Sequence, residues 1–138
     1  MNAPFEPPTF DEADPFDLPD WLGVREVTWH AERGLDTGHR VPGSLDTAGE
    51  EPVPCDLLAV DEAYPEPVAT DRLRVRVHQL WRNGEVLLAS EGPRLLLAVP
   101  GSRIEVATAL EAVARLARAV GASPGTYAVR LRVGARHR

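Results

Sequence analysis

The stretch that decides the fold runs from residue 71 to residue 133 and reads DRLRVRVHQLWRNGEVLLASEGPRLLLAVPGSRIEVATALEAVARLARAVGASPGTYAVRLRV. After Asp71, the next seven residues alternate between two kinds of side chain: apolar at Leu73, Val75 and Val77, and basic at Arg72, Arg74, Arg76 and His78. Because successive side chains of a strand point to opposite faces of a sheet, this period of two predicts a strand over residues 71–78. Asn83-Gly84 then predicts a hairpin turn, since both residues accept positive φ at low cost.

Two continuous apolar runs follow that turn. Residues 85–90 and residues 94–99 are each rich in leucine, valine and alanine, and Glu91-Gly92-Pro93 separates them. Runs of this length without alternation are typical of strands that are covered on both faces. The three segments together predict a meander of three strands.

A helix is predicted over residues 103–120. Ser102 and Glu105 have the spacing of a capping box, and Gly121 suits the left-handed position just beyond a helix end. Apolar residues recur mostly at three- and four-residue steps and form one stripe, made of Val106, Ala109, Leu110, Val113, Ala117 and Val120. Away from that stripe, the four-residue spacing of Glu111 and Arg115 predicts an ion pair.

The closing strand is predicted over residues 127–133 and alternates again, with Arg130 and Arg132 on its polar face. With the third strand and the helix it forms a β-α-β crossover, which is right-handed if the two strands are parallel in one sheet. If both alternating strands join that sheet, basic side chains line its far side: Arg72, Arg74, Arg76, Arg130 and Arg132, with His78 at the end of the row.

Two interpretations of this arginine row stay open. The row carries no aromatic side chain on which a base can stack, so as a binding face it would contact phosphate or another anionic partner. Alternatively, the arginines pair with carboxylates of the chain itself, either from the N-terminal segment or from Asp56, Asp61, Glu62 and Glu66.

Charge is distributed unevenly along the 138 residues. Residues 1–70 hold 3 arginines and 16 carboxylates, whereas residues 71–138 hold 12 arginines and 5 carboxylates. Residues 1–20 alone carry six carboxylates and no base, which equals the whole net charge of −6. The rest of the chain therefore balances to zero, which favours internal pairing of the arginines.

Residues 1–20 form an acidic tail, separate from a domain that we place at residues 21–138. Five prolines disfavour a helix there, and aromatic residues are dispersed along it: Phe5, Phe10 and Phe16, followed by Trp21. We consider three states for this tail. It is a strap that docks its aromatics on its own domain, a disordered segment, or a short motif that binds a partner.

Further strands are predicted over residues 24–31, 39–45 and 53–60, the last being buried and containing Cys55. The length suits one domain. We therefore predict a single α+β domain. Its antiparallel or mixed sheet has five to six strands, and one amphipathic helix in the C-terminal half of the chain packs on one face.

No motif for reaction chemistry stands out. Cys55 is the lone cysteine, and it would need His30, His39, His78 or His137 beside it to act as a nucleophile, so a core position is favoured. The histidines lie singly, without the spacing of a metal site, and no glycine-rich phosphate loop occurs. We expect no metal and no cofactor.

The composition thus favours a small non-enzymatic interaction or adaptor module. Its expected partner is another protein, or a second copy that pairs through an exposed sheet edge. The first alternative is an anion or nucleic-acid binder whose arginine-lined face is covered by its own acidic tail, and the second is an enzyme that uses Cys55 or a histidine. With no secretory signal and no apolar run of about 20 residues, we expect a cytoplasmic protein that binds no membrane.

Overall fold

The structure is a computed structural model that describes residues 10–35, 38–61 and 69–131. The predictions for Phe5, Glu62, Glu66, Arg132 and His137 fall outside these ranges. Within them lie two α-helices and eight strands, in this order: β1 (Asp11–Glu12), β2 (Val27–Ala31), β3 (Arg40–Val41), β4 (Gly43–Asp46), β5 (Val53–Val60), α1 (Asp71–Arg82), β6 (Leu87–Glu91), β7 (Arg94–Pro100), α2 (Val106–Ala119) and β8 (Tyr127–Arg130).

The strands form one open mixed sheet in the order β1-β6-β7-β5-β4-β2-β8, with β3 also beside β5. The β5–β7 and β2–β8 pairs are parallel, and the other pairs are antiparallel. β3 and β4 keep one register against β5, since Arg40 pairs with Leu58 and Ser44 with Pro54. They are one strand interrupted at Pro42, which lacks a backbone N–H. The α+β class and the mixed sheet are confirmed, while the described strands number eight instead of five to six.

The two helices cover opposite faces of the sheet. Alternate residues of β5 and β7 point to α2, among them Leu57 and Leu97, while the intervening ones, Leu58 and Leu96, point to α1. All four side chains are buried. This arrangement explains why β5, β6 and β7 read as largely apolar runs. It confirms the prediction that β6 and β7 are covered on both faces and that β5 is buried.

The predicted strand over residues 71–78 is wrong, because this segment is the first turns of α1. Thr70 caps the helix, and its side chain accepts a hydrogen bond from the Leu73 N–H at 3.2 Å. Leu73, Val77 and Leu80 are spaced three and four residues apart and pack on the sheet, whereas Val75 is 65% exposed. The predicted Asn83-Gly84 hairpin is wrong for the same reason. Gly84 follows the helix C-cap with φ +86°, so it ends a helix.

The prediction of α2 is confirmed, with corrections at its start and on its buried face. The N-cap is Glu105, which makes no side-chain capping hydrogen bond, so the Ser102 capping box is wrong. The buried stripe is shifted toward Ala112 and Leu116, while Val106 and Leu110 are about half exposed. Gly121 has the expected positive φ, and the Glu111–Arg115 pair forms at 2.7 Å.

The last strand does not return to β7. β8 pairs with β2 in parallel, so the connection through α2 passes over β5, β4 and β2 to the opposite edge. The sheet therefore has β1 at one edge and β8 at the other, among the described residues. This layout determines which side chains can meet in a site.

Candidate interaction site

Residues 10–13, which we call the strap, form the edge of the sheet. Asp11 pairs with Ser90 and Glu12 with Ala89 in the antiparallel β1–β6 ladder. The Ala13 N–H donates to the Leu88 carbonyl oxygen at 2.9 Å. The N-terminal segment thus adds a short strand to β6, whose other neighbour is β7.

Two side chains of the strap face α1. Phe10 and Glu12 are two residues apart and therefore point to the same side of the sheet. Phe10 packs against the core beneath α1, and Glu12 accepts hydrogen bonds from Arg76 Nε at 2.8 Å and from Arg76 Nη2 at 3.2 Å. The Arg76 hydrogen bond holds the pKa of Glu12 below its ordinary value. Docking of the strap thus uses one aromatic anchor and one two-point ion pair.

The strap lies in an open groove between the edge of β6 and α1, which we call the strap groove. The residues around the docked strap, Phe10, Asp11 and Glu12, are Thr70, Arg72, Leu73 and Arg76. Beyond Arg76 a second depression continues toward the end of α2, where Leu80, Val86 and Leu88 supply an apolar floor. Arg115 and Arg118, both paired with Glu111, lie at its rim. The groove therefore combines a strand edge, apolar surface and guanidinium groups, which are the parts that an extended acidic peptide needs.

The structure divides the predicted arginine row between opposite ends of the sheet. Arg72, Arg74 and Arg76 lie on α1, where Arg74 pairs with Asp71 and Arg72 is exposed. Arg130 lies on β8, at the other edge. The predicted arginine-lined sheet face is wrong, because it depended on a strand at residues 71–78.

The remaining predicted site residues have separate surroundings. His78 lies on α1, and its Nε2 is 3.1 Å from the carbonyl oxygen of Val60, the last residue of β5. Trp21 packs against the core beneath α2, whereas Phe16, in a 3₁₀ turn over Pro15–Asp17, is 94% exposed. Of the tail aromatics that the structure describes, Phe10 is the one that contributes to the strap groove.

Sequence reasoning named Asp56 as a possible partner of an arginine, but it missed the polar cluster around this residue on the part of the sheet face that α1 leaves uncovered. Asp56, only 2% exposed, accepts hydrogen bonds from Arg40 Nε at 2.8 Å, from Arg94 Nη2 at 2.6 Å and from the Gly43 N–H at 3.2 Å. The hydrogen bonds to Asp56 raise the pKa of Arg94. One signal pointed to this cluster: Asp56 is a lone carboxylate inside the apolar run of β5.

Two carboxylates complete this cluster, and we call the whole set the Asp56 network. Arg40 also pairs with Glu91 at 2.6 Å, and Arg94 lies 3.7 Å from Glu32. On the same face His30 pairs with Asp46 at 2.9 Å. The Asp56 network holds two arginines against three carboxylates, so this face gives an anionic partner no excess of positive charge to bind.

Cys55 is fully buried in the core beneath α2. Burial raises the pKa of its thiol, so the reactive thiolate is disfavoured. In the described ranges no group of three or more His, Cys, Asp or Glu side chains is arranged to hold a metal ion. No helix in these ranges is long and apolar enough to cross a bilayer.

No protein-family model, no curated protein and no solved structure matches this chain.

Proposed function

We propose that the chain is a non-enzymatic protein-interaction module that binds an extended acidic segment of a partner protein in the strap groove. One observation carries this proposal: the groove already holds such a segment, the strap. Phe10, Asp11 and Glu12 define the chemistry of a fitting ligand, which is an aromatic residue followed at the second position by a carboxylate.

The mode of binding is strand addition to a sheet edge. In this mode the backbone hydrogen bonds supply affinity and alternate side chains supply specificity. On the α1 side of β6, the apolar surface takes the aromatic residue and Arg76 takes the carboxylate. Arg72 is exposed beside them and can pair with a further acidic residue of the ligand.

The strap is weakly held in the groove, so another segment can compete with it for the same position. β1 has two residues in its ladder with β6. The side chains of Glu12 and Arg76 are 51% and 46% exposed, so water and salt screen their attraction. A partner segment with more contacts can therefore displace the strap.

Binding of an anion or a nucleic acid is the second candidate function. It is favoured by the contact between the acidic strap and Arg76, since displacement of Glu12 would free a guanidinium group beside Arg72. A polyphosphate, however, uses neither the backbone edge of β6 nor the apolar wall at Leu73. This difference makes the peptide the better match to the whole groove.

The test uses a fluorescent peptide with the sequence of residues 8–15, added to the full-length chain. We expect weak binding to the wild type, because the strap occupies the groove. In the Phe10→Ala chain the strap is less firmly docked, and we expect an affinity at least about tenfold higher, since more of the population is open. Anisotropy measures both affinities.

Two controls identify the site. Arg76→Glu in the Phe10→Ala background should abolish binding, whereas Arg103→Glu, on an exposed loop away from the groove, should leave it unchanged. An oligonucleotide of equal charge should bind neither chain. Equal peptide binding by all variants, or tighter binding of the oligonucleotide, would count against the proposal.

A further inference from the structure

We infer that a second copy of this chain supplies an occupant for the groove, so that two copies exchange their straps reciprocally. This inference rests on the proposed function, and it identifies one partner of the same groove. Each strap would pair with β6 of the other copy and bring Glu12 to the other copy's Arg76. Because the two chains are identical, every contact of the docked strap is available between copies.

The connection between strap and domain suits this exchange. Residues 14–17 join the strap to Leu18 and Trp21, the first side chains after the strap that pack against the core beneath α2. The connector forms a single 3₁₀ turn, which a backbone hydrogen bond from the Asp17 N–H to the Asp14 carbonyl oxygen closes at 2.8 Å. Asp14 also caps the turn, since its Oδ1 accepts a hydrogen bond from the Phe16 N–H at 3.0 Å. Fully extended, four residues span about 14 Å, so opening this turn carries the strap away from its own groove.

The exposure of Phe16 favours contact with a second copy. Phe16 is the most exposed large apolar side chain of the described residues, at 94%, and it lies in the connector. Two connectors that cross between two-fold related copies run side by side. Contact between the two Phe16 side chains then buries apolar surface that is exposed to water in a single copy.

The single-copy form is nevertheless favoured at low protein concentration. A segment on a short linker has an effective concentration of about 1 mM at its own groove, and a second copy must compete with that value. Exchange therefore becomes measurable when the strap fits its own groove badly and fits the other copy's groove well. Charge reversal at the Glu12–Arg76 pair creates this situation.

The test mixes two full-length variants, Glu12→Arg and Arg76→Glu. Each variant alone places like charges together, both within a chain and between identical chains. In a mixed dimer with exchanged straps, both strap–groove contacts join opposite charges. The strap of the Glu12→Arg chain meets glutamate at position 76 of the other chain, and the strap of the Arg76→Glu chain brings Glu12 to Arg76. We expect each variant alone to be monomeric and the equimolar mixture to form a mixed dimer about tenfold more tightly than either homodimer, measured by sedimentation velocity.

Further variants assign the result to strap exchange. The double variant Glu12→Arg/Arg76→Glu restores the pair within one chain and should remain monomeric. Phe16→Ser in both partners should weaken the mixed dimer by at least about threefold. Both positions 12 and 76 are about half exposed, so each chain should keep the far-UV circular dichroism of the wild type.

A mixture that stays monomeric at about 1 mM, with both chains folded, would overturn the inference. The proposed function is tested separately, because it depends on the peptide added to the Phe10→Ala chain. Peptide binding together with a monomeric mixture would retain the function and remove the second copy as a partner. Dimers in every variant alike would also overturn the inference, since a contact elsewhere would then be responsible.

Discussion

Replacing Asp56 with alanine is expected to lower the free energy of unfolding by about 3 kcal/mol. The carboxylate is 2% exposed and pairs with both Arg40 and Arg94, which lie on the two strands beside it, β3 and β7. Its removal leaves two guanidinium groups beside apolar residues and deprives the Gly43 N–H of its acceptor. The arginines are each about one-third exposed and retain Glu91 and Glu32, so we place the effect at the low end for a broken buried ion pair.

Urea unfolding followed by far-UV circular dichroism measures this loss. Asp46→Ala is the matched control, since its partner His30 lies on the same sheet face and both side chains are about one-third exposed. We expect the control to change the free energy of unfolding by less than about 1 kcal/mol. Similar losses for both variants would show that the Asp56 network has no special role in stability.

Replacing Trp29 with alanine is expected to cost about 3–5 kcal/mol. The ring is completely buried in the core beneath α2, and its Nε1–H donates to the Cys55 carbonyl oxygen at 2.9 Å. Gly43 on β4 lies directly against the ring, where an added Cβ would meet it at 2.7 Å. The sheet is therefore built closely around this indole, and the surrounding backbone cannot collapse into the space that it leaves.

The same urea experiment tests this prediction. Trp21→Ala serves as the control, because Trp21 packs on the same core from a 3₁₀ turn and is only partly buried. We expect Trp21→Ala to cost clearly less than Trp29→Ala. A loss below about 1.5 kcal/mol for Trp29→Ala would contradict the packing described here.

The parts of the fold that could be predicted are those with local signals. β5 has the predicted bounds, Val53–Val60, because its mostly apolar run is long and lies between Pro52 and Asp61. β6, β7 and the end of α2 were predicted for similar reasons, with Gly92 and Gly121 supplying the turn and the helix stop. Each of these signals lies within a few residues of the element that it defines.

α1 was missed because its sequence fits two periods. Leu73 and Val77 belong both to an alternating pattern and to a helical stripe, and Val75 completes the former while Leu80 completes the latter. Two features of the structure identify the segment as a helix: Thr70 caps its N-terminus, and Val75, which the alternating pattern would bury, is exposed. This one error produced the arginine-lined sheet face.

A docked strap and the pairing of arginines with tail carboxylates or with Asp56 were among the alternatives that the sequence left open. The partners in the strap groove and in the Asp56 network could not be predicted, because both depend on strand order. Glu12 meets Arg76 only because β1 pairs with β6, and Asp56 meets Arg40 and Arg94 only because β5 lies between β3 and β7. These partners are far apart in the chain. Strand order follows from packing of the whole sheet, which leaves no local pattern.

The central claim is that an acidic extended segment binds between β6 and α1, and amide chemical shifts of the isotope-labelled Phe10→Ala chain test it most directly. On addition of the residue 8–15 peptide, we expect shifts at Ala89 and Ser90 and along the Arg72–Arg76 side of α1. The amide chemical shifts of Thr28 and His30, on β2 near the opposite edge of the sheet, should stay unchanged. Shifts centred on those two residues, or none at saturating peptide, would contradict the account.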